Sequence, residues 1–224
     1  MADYFNYAIL TTLMIRLITL LFLVVPLLPA SSARADVTWK TTLDYMVPEN
    51  EEARLISNGN WGLSGEIEFH IQGIPDYISW AAGLDWVDML TEESLVWVPP
   101  GAWITRQTDQ VYYRFWFGPR LRSHNKGFLR PYAGANIAII YYSYETWFLD
   151  FSGQSRILIA SDGEFALGYG IDGGIEIRTA STWSLDLGAK LLRTFGEPRQ
   201  LSFDSVTVQP SYLMYYLGVR FLFE

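Results

Sequence analysis

Residues 163–178 read GEFALGYGIDGGIEIR, a stretch in which apolar and small or charged residues alternate. Phe165, Leu167, Tyr169 and Ile171 occupy every second position, and glycine, alanine or a charged residue lies between them. Successive side chains of a β-strand point to opposite faces, so this period of two predicts a long strand with one apolar and one polar face. The glycines precede no helix, which argues against a phosphate-binding loop. We expect those on the polar face to make room for long neighbouring side chains.

The same alternation recurs along the rest of the chain. It predicts eight strands, at residues 37–45, 61–71, 78–90, 108–121, 130–143, 163–178, 182–194 and 211–223. The connections between them are in order about 15, 6, 17, 8, 19, 3 and 16 residues long, so that long and short alternate. Outer-membrane barrels have short periplasmic turns and long external loops, and a sheet in lipid must close because it cannot leave an edge unpaired. The fold class predicted is therefore all-β, an eight-stranded antiparallel up-and-down transmembrane β-barrel.

The N-terminus has the features of an export signal. Residues 17–28 read LITLLFLVVPLL, follow Arg16, and lead to the small residues Ala33 and Ala35 of an A-x-A cleavage site. This apolar run is too short to span a bilayer comfortably, and its flanks are typical of a secretory signal peptide. We predict a cleaved signal peptide at residues 1–35, a barrel domain at residues 36–224, and residence in the outer membrane of a Gram-negative-type bacterium. An uncleaved anchor and a translation start at Met14 are the alternatives.

Composition excludes several classes of function. The chain of 224 residues has no cysteine, which removes disulfide scaffolds, Cys-ligated zinc, iron–sulfur clusters and thiol nucleophiles. Two histidines, His70 and His124, leave little room for a His-rich metal site. With 24 acids against 16 bases, the chain also lacks the basic surface that nucleic-acid binding needs. We expect no cofactor, no metal and no nucleic-acid partner.

Aromatic residues make up 16% of the chain and concentrate on the apolar strand faces. A membrane barrel turns such faces towards lipid and places aromatic girdles at the headgroups. In a soluble periplasmic ligand-binding barrel, the alternative, the same rings would crowd a lumen barely wide enough for side chains. The predicted lipid-facing aromatics include Trp61, Trp80, Trp86, Phe115, Phe117, Tyr169, Trp183, Tyr215, Phe221 and Phe223.

The polar strand faces carry acids and bases in near balance, eight against seven. A balanced set in a narrow lumen can pair into a hydrogen-bonded network, which closes the lumen rather than opening a pore. An open porin, the alternative, would show a charge ring of one sign or more strands. The predicted network consists of Glu66, Glu68, His70, Arg114, Asp172, Glu176, Arg178, Asp186, Lys190 and Arg220. The same faces also carry Lys40, Asp44, Asp85, Arg120, Arg130 and Glu164.

The four long connections are acidic, with ten acids against four bases. One interpretation is an external surface that meets cations, a basic partner or divalent-bridged lipopolysaccharide. The other is that these loops are polar for solubility alone.

Residues 130–135 read RPYAGA at the start of the fifth strand, and residues 212–223 form an alternating C-terminal strand. With the signal peptide and the loop lengths, these features resemble the small outer-membrane β-barrel proteins of the OmpW, OmpX and opacity-protein type. The resemblance implies a structural, adhesive or small hydrophobic-molecule role without shared catalytic residues. It also implies that the barrel-assembly machinery recognises a C-terminal aromatic, although here Glu224 follows Phe223. The expected partners are outer-membrane lipid, lipopolysaccharide and that machinery, and the expected state is a monomer.

We predict a non-enzymatic barrel with a structural or surface-interaction role and no catalytic residues. A lipid-modifying, lipid A deacylase-like enzyme on the same scaffold is the alternative, since such barrels use a Ser/His/acid set. His70 shares its strand face with Ser64 and Glu68, but period two alone produces that arrangement, and adjacent Ser123 and His124 cannot normally form a nucleophile–base pair. Residues 154–160 and 201–209 are expected to extend neighbouring strands above the membrane; ten strands replace eight if they pair separately.

Overall fold

The computed structural model describes residues 37–57, 59–71, 73–98, 102–123, 127–149, 156–179, 182–195 and 210–223. The predicted signal peptide and residues 201–209 lie outside these ranges. The elements in chain order are β1 (Val37–Pro48), α1 (Glu51–Ile56), β2 (Asn60–Phe69), β3 (Ile78–Val98), β4 (Ala102–Arg122), β5 (Leu129–Leu149), β6 (Arg156–Arg178), β7 (Trp183–Phe195) and β8 (Ser211–Phe223).

The eight strands form a closed barrel in which each strand pairs antiparallel with the next one along the chain. Closure comes from β1 and β8, which pair from Val37 opposite Phe223 to Pro48 opposite Tyr212. The antiparallel up-and-down barrel predicted from alternation is therefore confirmed. Such closure removes the unpaired sheet edges that lipid does not tolerate. Among the described residues, no helix is long and apolar enough to cross a membrane.

Burial alternates along the strands, with polar side chains inside. In β1, Lys40, Thr42 and Asp44 are buried in the interior, whereas Leu43 and Tyr45 are exposed on the outer face. The same pattern extends to the apolar outer positions of the other strands. This distribution inverts that of a soluble protein, in which large apolar side chains are mostly buried.

The interior has two layers. At one end of the barrel β1 begins and the β2–β3 turn lies. This end, called the short-turn end here, contains the charged side chains. Towards the opposite end, called the hairpin end, the interior becomes apolar and aromatic. This second layer was not predicted, and its buried members include Met46, Val87, Met89, Tyr112, Ala138, Ile140, Tyr142, Leu192, Tyr212 and Met214.

Helix α1 packs on the apolar layer through Ala53, which is fully buried. The Asn50 side chain caps the helix by accepting a hydrogen bond from the Ala53 backbone N–H at 2.9 Å. After the helix, Ser57 donates its hydroxyl to the Met89 carbonyl at 2.9 Å and so ties the connection to β3. The period of two predicts only a loop for this whole connection, so the helix is a finding of the structure.

The β3–β4 and β5–β6 connections are the largest departure from the prediction. Residues 91–107 and 144–162 were predicted as long loops, but most of them belong to β3, β4, β5 and β6, which are 21 to 23 residues long. Residues 156–160 do extend β6, as expected for this segment, and within the described chain they do not form a separate strand. Alternation fails to detect these parts because both of their faces carry mixtures of polar and apolar residues.

Two register shifts interrupt the alternation in the long hairpins. In β3, Asp88 lies opposite Val111 and Leu90 opposite Gln110, so Met89 is an extra residue between them and points inward. The sequence pattern predicts that the alternation of this strand continues to Leu90, but the extra residue interrupts it after Asp88. A second shift lies in β6 opposite Thr146 and Trp147. Bulges of this kind are frequent at barrel rims.

Candidate functional site

The short-turn end of the barrel interior holds thirteen buried acidic and basic side chains, which form the interior ion network. Each exposes at most 8% of its surface. The network consists of six bases and seven acids, namely Lys40, Arg114, Arg120, Arg122, Lys190, Arg220, Asp44, Glu66, Glu68, Asp85, Asp172, Glu176 and Asp186.

Arg120 on β4 lies at the centre of the network. Its guanidinium binds both carboxylate oxygens of Glu66, and its Nη1 lies 3.1 Å from Glu68 Oε2. On the other side, Nη2 donates to Asp172 Oδ2 at 2.8 Å. One side chain therefore connects β4 with β2 and with β6, neither of which is its neighbour in the sheet.

A glycine makes the contact with β6 possible. Arg120, Gly134 and Asp172 are partners in one row across β4, β5 and β6. Because Gly134 has no side chain, Arg120 and Asp172 meet above it, and a Cβ at Gly134 would lie 2.8 Å from Asp172 Oδ1. The glycine on the inner face thus makes room for long neighbours, as the sequence pattern predicts.

Glu68 is shared by three guanidinium groups. Arg122 and Arg220 each approach its Oε2 at 2.5 Å, in addition to the contact from Arg120. Arg122 also binds Glu176 at 2.6 Å, and Arg220 also binds Asp186 at 2.9 Å. These charge-assisted hydrogen bonds bring β7 and β8 into the cluster that already joins β2, β4 and β6.

A second cluster lies nearer the apolar layer and is centred on Asp85 of β3. Arg114 donates to its Oδ2 at 2.6 Å, and Lys190 donates to its Oδ1 at 2.7 Å. Lys190 also reaches Ser64 Oγ at 3.3 Å, and Ser64 in turn donates to Asp44. Each buried charge in this cluster therefore has a partner, which offsets its desolvation cost.

Aromatic rings lie against several bases of the network. The Arg120 guanidinium carbon lies 4.7 Å from the centre of the Tyr132 ring, and Lys40 Nζ lies 4.7 Å from the centre of the Tyr216 ring. The electron-rich faces of these rings attract cations, most strongly where water is excluded. The rings thus give these buried bases a favourable contact in addition to their carboxylate partners.

Eight of the ten residues predicted for the network lie in it: Glu66, Glu68, Arg114, Asp172, Glu176, Asp186, Lys190 and Arg220. Arg178 lies at the rim, where its side chain is 40% exposed and its Nε is 3.6 Å from Glu176. His70 differs from the prediction, because β2 ends at Phe69 and the His70 ring nitrogen Nδ1 contacts the Ile78 carbonyl at 3.2 Å. Its recorded contact is thus with backbone, not with a charged group.

Four further network residues lie on strand faces that the sequence pattern predicts to point inward, although the predicted network does not include them: Lys40, Asp44, Asp85 and Arg120. Arg122 is not among the predicted inward residues, because the predicted fourth strand stops at residue 121. The signal was present, since Arg122 continues the inward series of Arg114, Trp116 and Arg120. Arg130 and Glu164 are only partly buried.

Aromatic side chains on the outer face form rows across the strands. Trp86, Tyr113, Tyr141 and Phe165 are successive partners on β3, β4, β5 and β6. We call this set the aromatic row. Phe165 stacks at a tilt on Tyr141, with ring centres 4.7 Å apart. Nine of the ten predicted lipid-facing aromatics are partly or largely exposed on this outer surface. The side chain of the tenth, Phe223, is not among the described side chains. The nine are Trp61, Trp80, Trp86, Phe115, Phe117, Tyr169, Trp183, Tyr215 and Phe221.

Among the described residues, the one histidine is His70, and its side-chain hydrogen bond is with the Ile78 backbone carbonyl at 3.2 Å, not with a serine or an acid. His124 lies outside the described residues. Within the same part of the chain, no group of three or more His, Asp or Glu side chains is placed to hold a metal ion.

Comparison with solved structures identifies proteins with the same architecture. The chain superposes on neisserial surface protein A with a TM-score of 0.51 and 14% identity, covering 85% of this chain and 98% of that one. It superposes on a major outer membrane protein of Thermus thermophilus with a TM-score of 0.53 and 9% identity, covering 85% of this chain and 100% of that one. No protein-family model and no curated protein sequence matches the chain. The chain therefore has the eight-stranded antiparallel barrel fold of small outer-membrane β-barrel proteins.

Proposed function

We propose that this protein is an exported, integral outer-membrane β-barrel with a structural or surface-interaction role and no enzymatic activity. The observation that carries the proposal is the inverted distribution of polarity, with thirteen buried charged side chains inside and large apolar side chains exposed outside. Water would not favour such an exterior, whereas lipid does. The aromatic row fits the headgroup level of such a membrane.

The membrane location is tested by fractionation. The protein belongs in the outer-membrane fraction, and it should migrate differently on a gel when boiled and unboiled because the folded barrel resists detergent. A protein that stays in the soluble fraction and migrates identically in both states would contradict the proposal and favour a soluble periplasmic barrel.

The interior ion network closes the barrel in this proposal. Side chains from opposite walls meet in the interior, as Lys190 on β7 does with Asp85 on β3, which supports a lumen without a wide aqueous path. Reconstitution in planar lipid bilayers should accordingly give little or no steady conductance. Large, stable open channels would show that the network does not close the lumen.

The absence of enzymatic activity has its own test. If the barrel modified lipopolysaccharide, the mass profile of lipid A would differ between cells with and without the gene. We expect an unchanged profile. A lipid A species that depends on the gene would favour the lipid-modifying alternative.

The partners we propose are outer-membrane lipid and lipopolysaccharide around the barrel, and the barrel-assembly machinery at the C-terminal strand. The apolar outer face of β8 supports the lipid contacts, since Tyr215, Leu217 and Phe221 are exposed there. A monomer is the state expected for a barrel whose strands are all paired within one chain.

A further inference from the structure

Four strands continue beyond the aromatic row as one sheet, called the blade here. It comprises residues 88–98, 102–111, 143–149 and 156–163, which remain paired with each other apart from the two register shifts at Met89 and opposite Thr146 and Trp147. From Tyr113 to Trp103 the strand runs ten residues, or about 33 Å. A strand tilt of about 40° places the end of the blade roughly 25 Å beyond the aromatic row. The blade therefore projects out of the barrel's own membrane if the aromatic row marks the headgroups.

The β3–β4 hairpin of the blade has an uncharged end. Residues 95–104 read LVWVPPGAWI, ten positions without an acid or a base. Trp97 and Trp103 are strand partners whose rings make an edge contact with centres 5.4 Å apart, and they are 51% and 54% exposed. Leu95 is 69% exposed. We call these three residues, with Val96 and Ile104, the blade tip.

Both faces of the sheet are apolar near this tip. Trp97 and Trp103 lie on one face, and the next pair down, Val96 and Ile104, lies on the other because strand side chains alternate. Ile157 on the neighbouring hairpin is 67% exposed. A protein partner that docks on one face would leave the other in water, whereas insertion into a lipid surface covers both.

Charges on the blade are sorted by distance from the tip. Counting strand partners down from the Trp97–Trp103 pair, the bases come first: Arg156 lies two positions below and Arg106 three. Acids follow at four or more positions, and they include Glu93, Asp109, Glu145, Asp162 and Asp88. Both arginines are exposed.

We propose that the blade tip inserts into the headgroup region of an anionic phospholipid surface that faces the outer membrane from outside. Tryptophan is enriched at membrane–water interfaces, and arginine near a surface is attracted to anionic lipid. The acids among the described blade residues lie further from the tip than the two arginines. The inference names a partner for the surface-interaction role and rests on the proposed function, because the blade must lie outside the membrane that holds the barrel.

The absence of cysteine allows a direct test. The barrel is reconstituted in phosphatidylcholine nanodiscs as a Thr105→Cys variant that carries one environment-sensitive fluorophore near the tip. Vesicles of phosphatidylcholine and phosphatidylglycerol are then added. Emission should rise and shift to the blue, and the nanodiscs should float with the vesicles. The matched control is Thr91→Cys, six positions below Trp97 on the same strand, whose emission should not change.

Two sets of variants separate the apolar and ionic contributions. The double substitution Trp97→Ser and Trp103→Ser should weaken vesicle binding roughly tenfold or more, because it removes the inserted rings. Arg106→Gln and Arg156→Gln should each weaken binding to anionic vesicles by about fivefold and leave binding to neutral vesicles unchanged. Equal losses on neutral and anionic vesicles would contradict the role of the arginines.

The outcomes also distinguish this inference from the proposed function. If the barrel enters nanodiscs and shows heat-modifiable mobility but does not bind added vesicles, the inference about the blade tip is wrong and the proposed function stands. The inference is also overturned by a tip fluorophore that is quenched by brominated lipid in its own nanodisc, or by binding to cells that requires a protease-sensitive partner. A protein that does not enter nanodiscs at all overturns the proposed function itself.

Discussion

Tyr132 on β5 and Tyr216 on β8 lie three strands apart, yet their hydroxyl oxygens are 2.6 Å from each other. The two positions between them in the same row are Gly174 on β6 and Gly188 on β7. Because neither glycine has a side chain, the two tyrosine rings extend over these positions from both sides, and their hydroxyl groups meet. Tyr132 also donates to Asp186, which links this aromatic bridge to the interior ion network.

Filling this space should destabilise the barrel. A Cβ at Gly174 would lie 2.6 Å from the Tyr216 hydroxyl and 2.8 Å from that of Tyr132. We expect Gly174→Ala to lower the free energy of unfolding by about 1–3 kcal/mol, the usual cost of overpacking. Urea unfolding from lipid vesicles, followed by tryptophan fluorescence, measures the change.

The adjacent residue supplies the control. Gly173 points to the outer face, and a Cβ there would have only the Tyr132 carbonyl nearby, at 3.5 Å. Gly173→Ala should therefore leave the unfolding midpoint nearly unchanged. Equal effects of the two substitutions would mean that intrinsic strand propensity, not the tyrosine bridge, determines the result.

Removing the central arginine should cost more than removing a rim charge. Arg120→Met leaves Glu66 without its bidentate partner and Asp172 without its 2.8 Å contact. Breaking a buried pair in this way typically costs about 3–5 kcal/mol. Arg178→Met, at the exposed rim, should cost at most about 1 kcal/mol. The same urea titration compares them, and a loss at Arg178 as large as that at Arg120 would contradict the burial argument.

The outer face should show a depth-dependent cost for a charge. Ile137 is 67% exposed on the outer face and lies four residues from Tyr141 of the aromatic row, whereas Ser143 lies two residues beyond that row. We expect Ile137→Arg to destabilise the barrel in vesicles by about 2–4 kcal/mol and Ser143→Arg by about 0–1 kcal/mol. Refolding yield and urea midpoint in vesicles measure both. Similar costs at the two positions would show that the aromatic row does not mark the membrane boundary.

Orientation in the membrane is tested by labelling, since the chain has no cysteine of its own. Thr91→Cys on the blade should react with a membrane-impermeant maleimide on intact cells. Asp76→Cys in the exposed β2–β3 turn should react only after the outer membrane is permeabilised. The reverse pattern would place the blade in the periplasm and overturn the inferred partner as well.

Strand number, pairing direction and inner face were all predictable from the sequence because lipid imposes a strict period of two. In β6 the large apolar residues Phe165, Leu167, Tyr169 and Ile171 all fall on the outer face, and Asp172 and Glu176 both fall inside. Charge balance on the inner faces also indicated that the bases and acids would pair. These features follow from one rule that acts on every membrane-spanning residue.

The prediction was wrong in the blade, where this rule does not hold. The blade strands alternate poorly because both of their faces carry polar and apolar residues, so most of their sequence predicts loops. The extra residue Met89 reverses the parity of β3 at a point that no pattern marks. Helix α1 is only six residues long, and its one sequence signal is Asn50 before two glutamates, which suits a helix N-terminus.

The pairing of β1 with β8 affects how this chain can be made. One edge of β1 has no hydrogen-bonding partner until β8 has been synthesised, and more than 160 residues separate Pro48 from Ser211. Contacts between residues so far apart in the sequence are slow to form. Until they form, the unpaired strand edges can pair with other chains. A chain shortened before β8 would keep seven strands and two open edges, so the C-terminal thirteen-residue strand determines whether assembly in a membrane can finish.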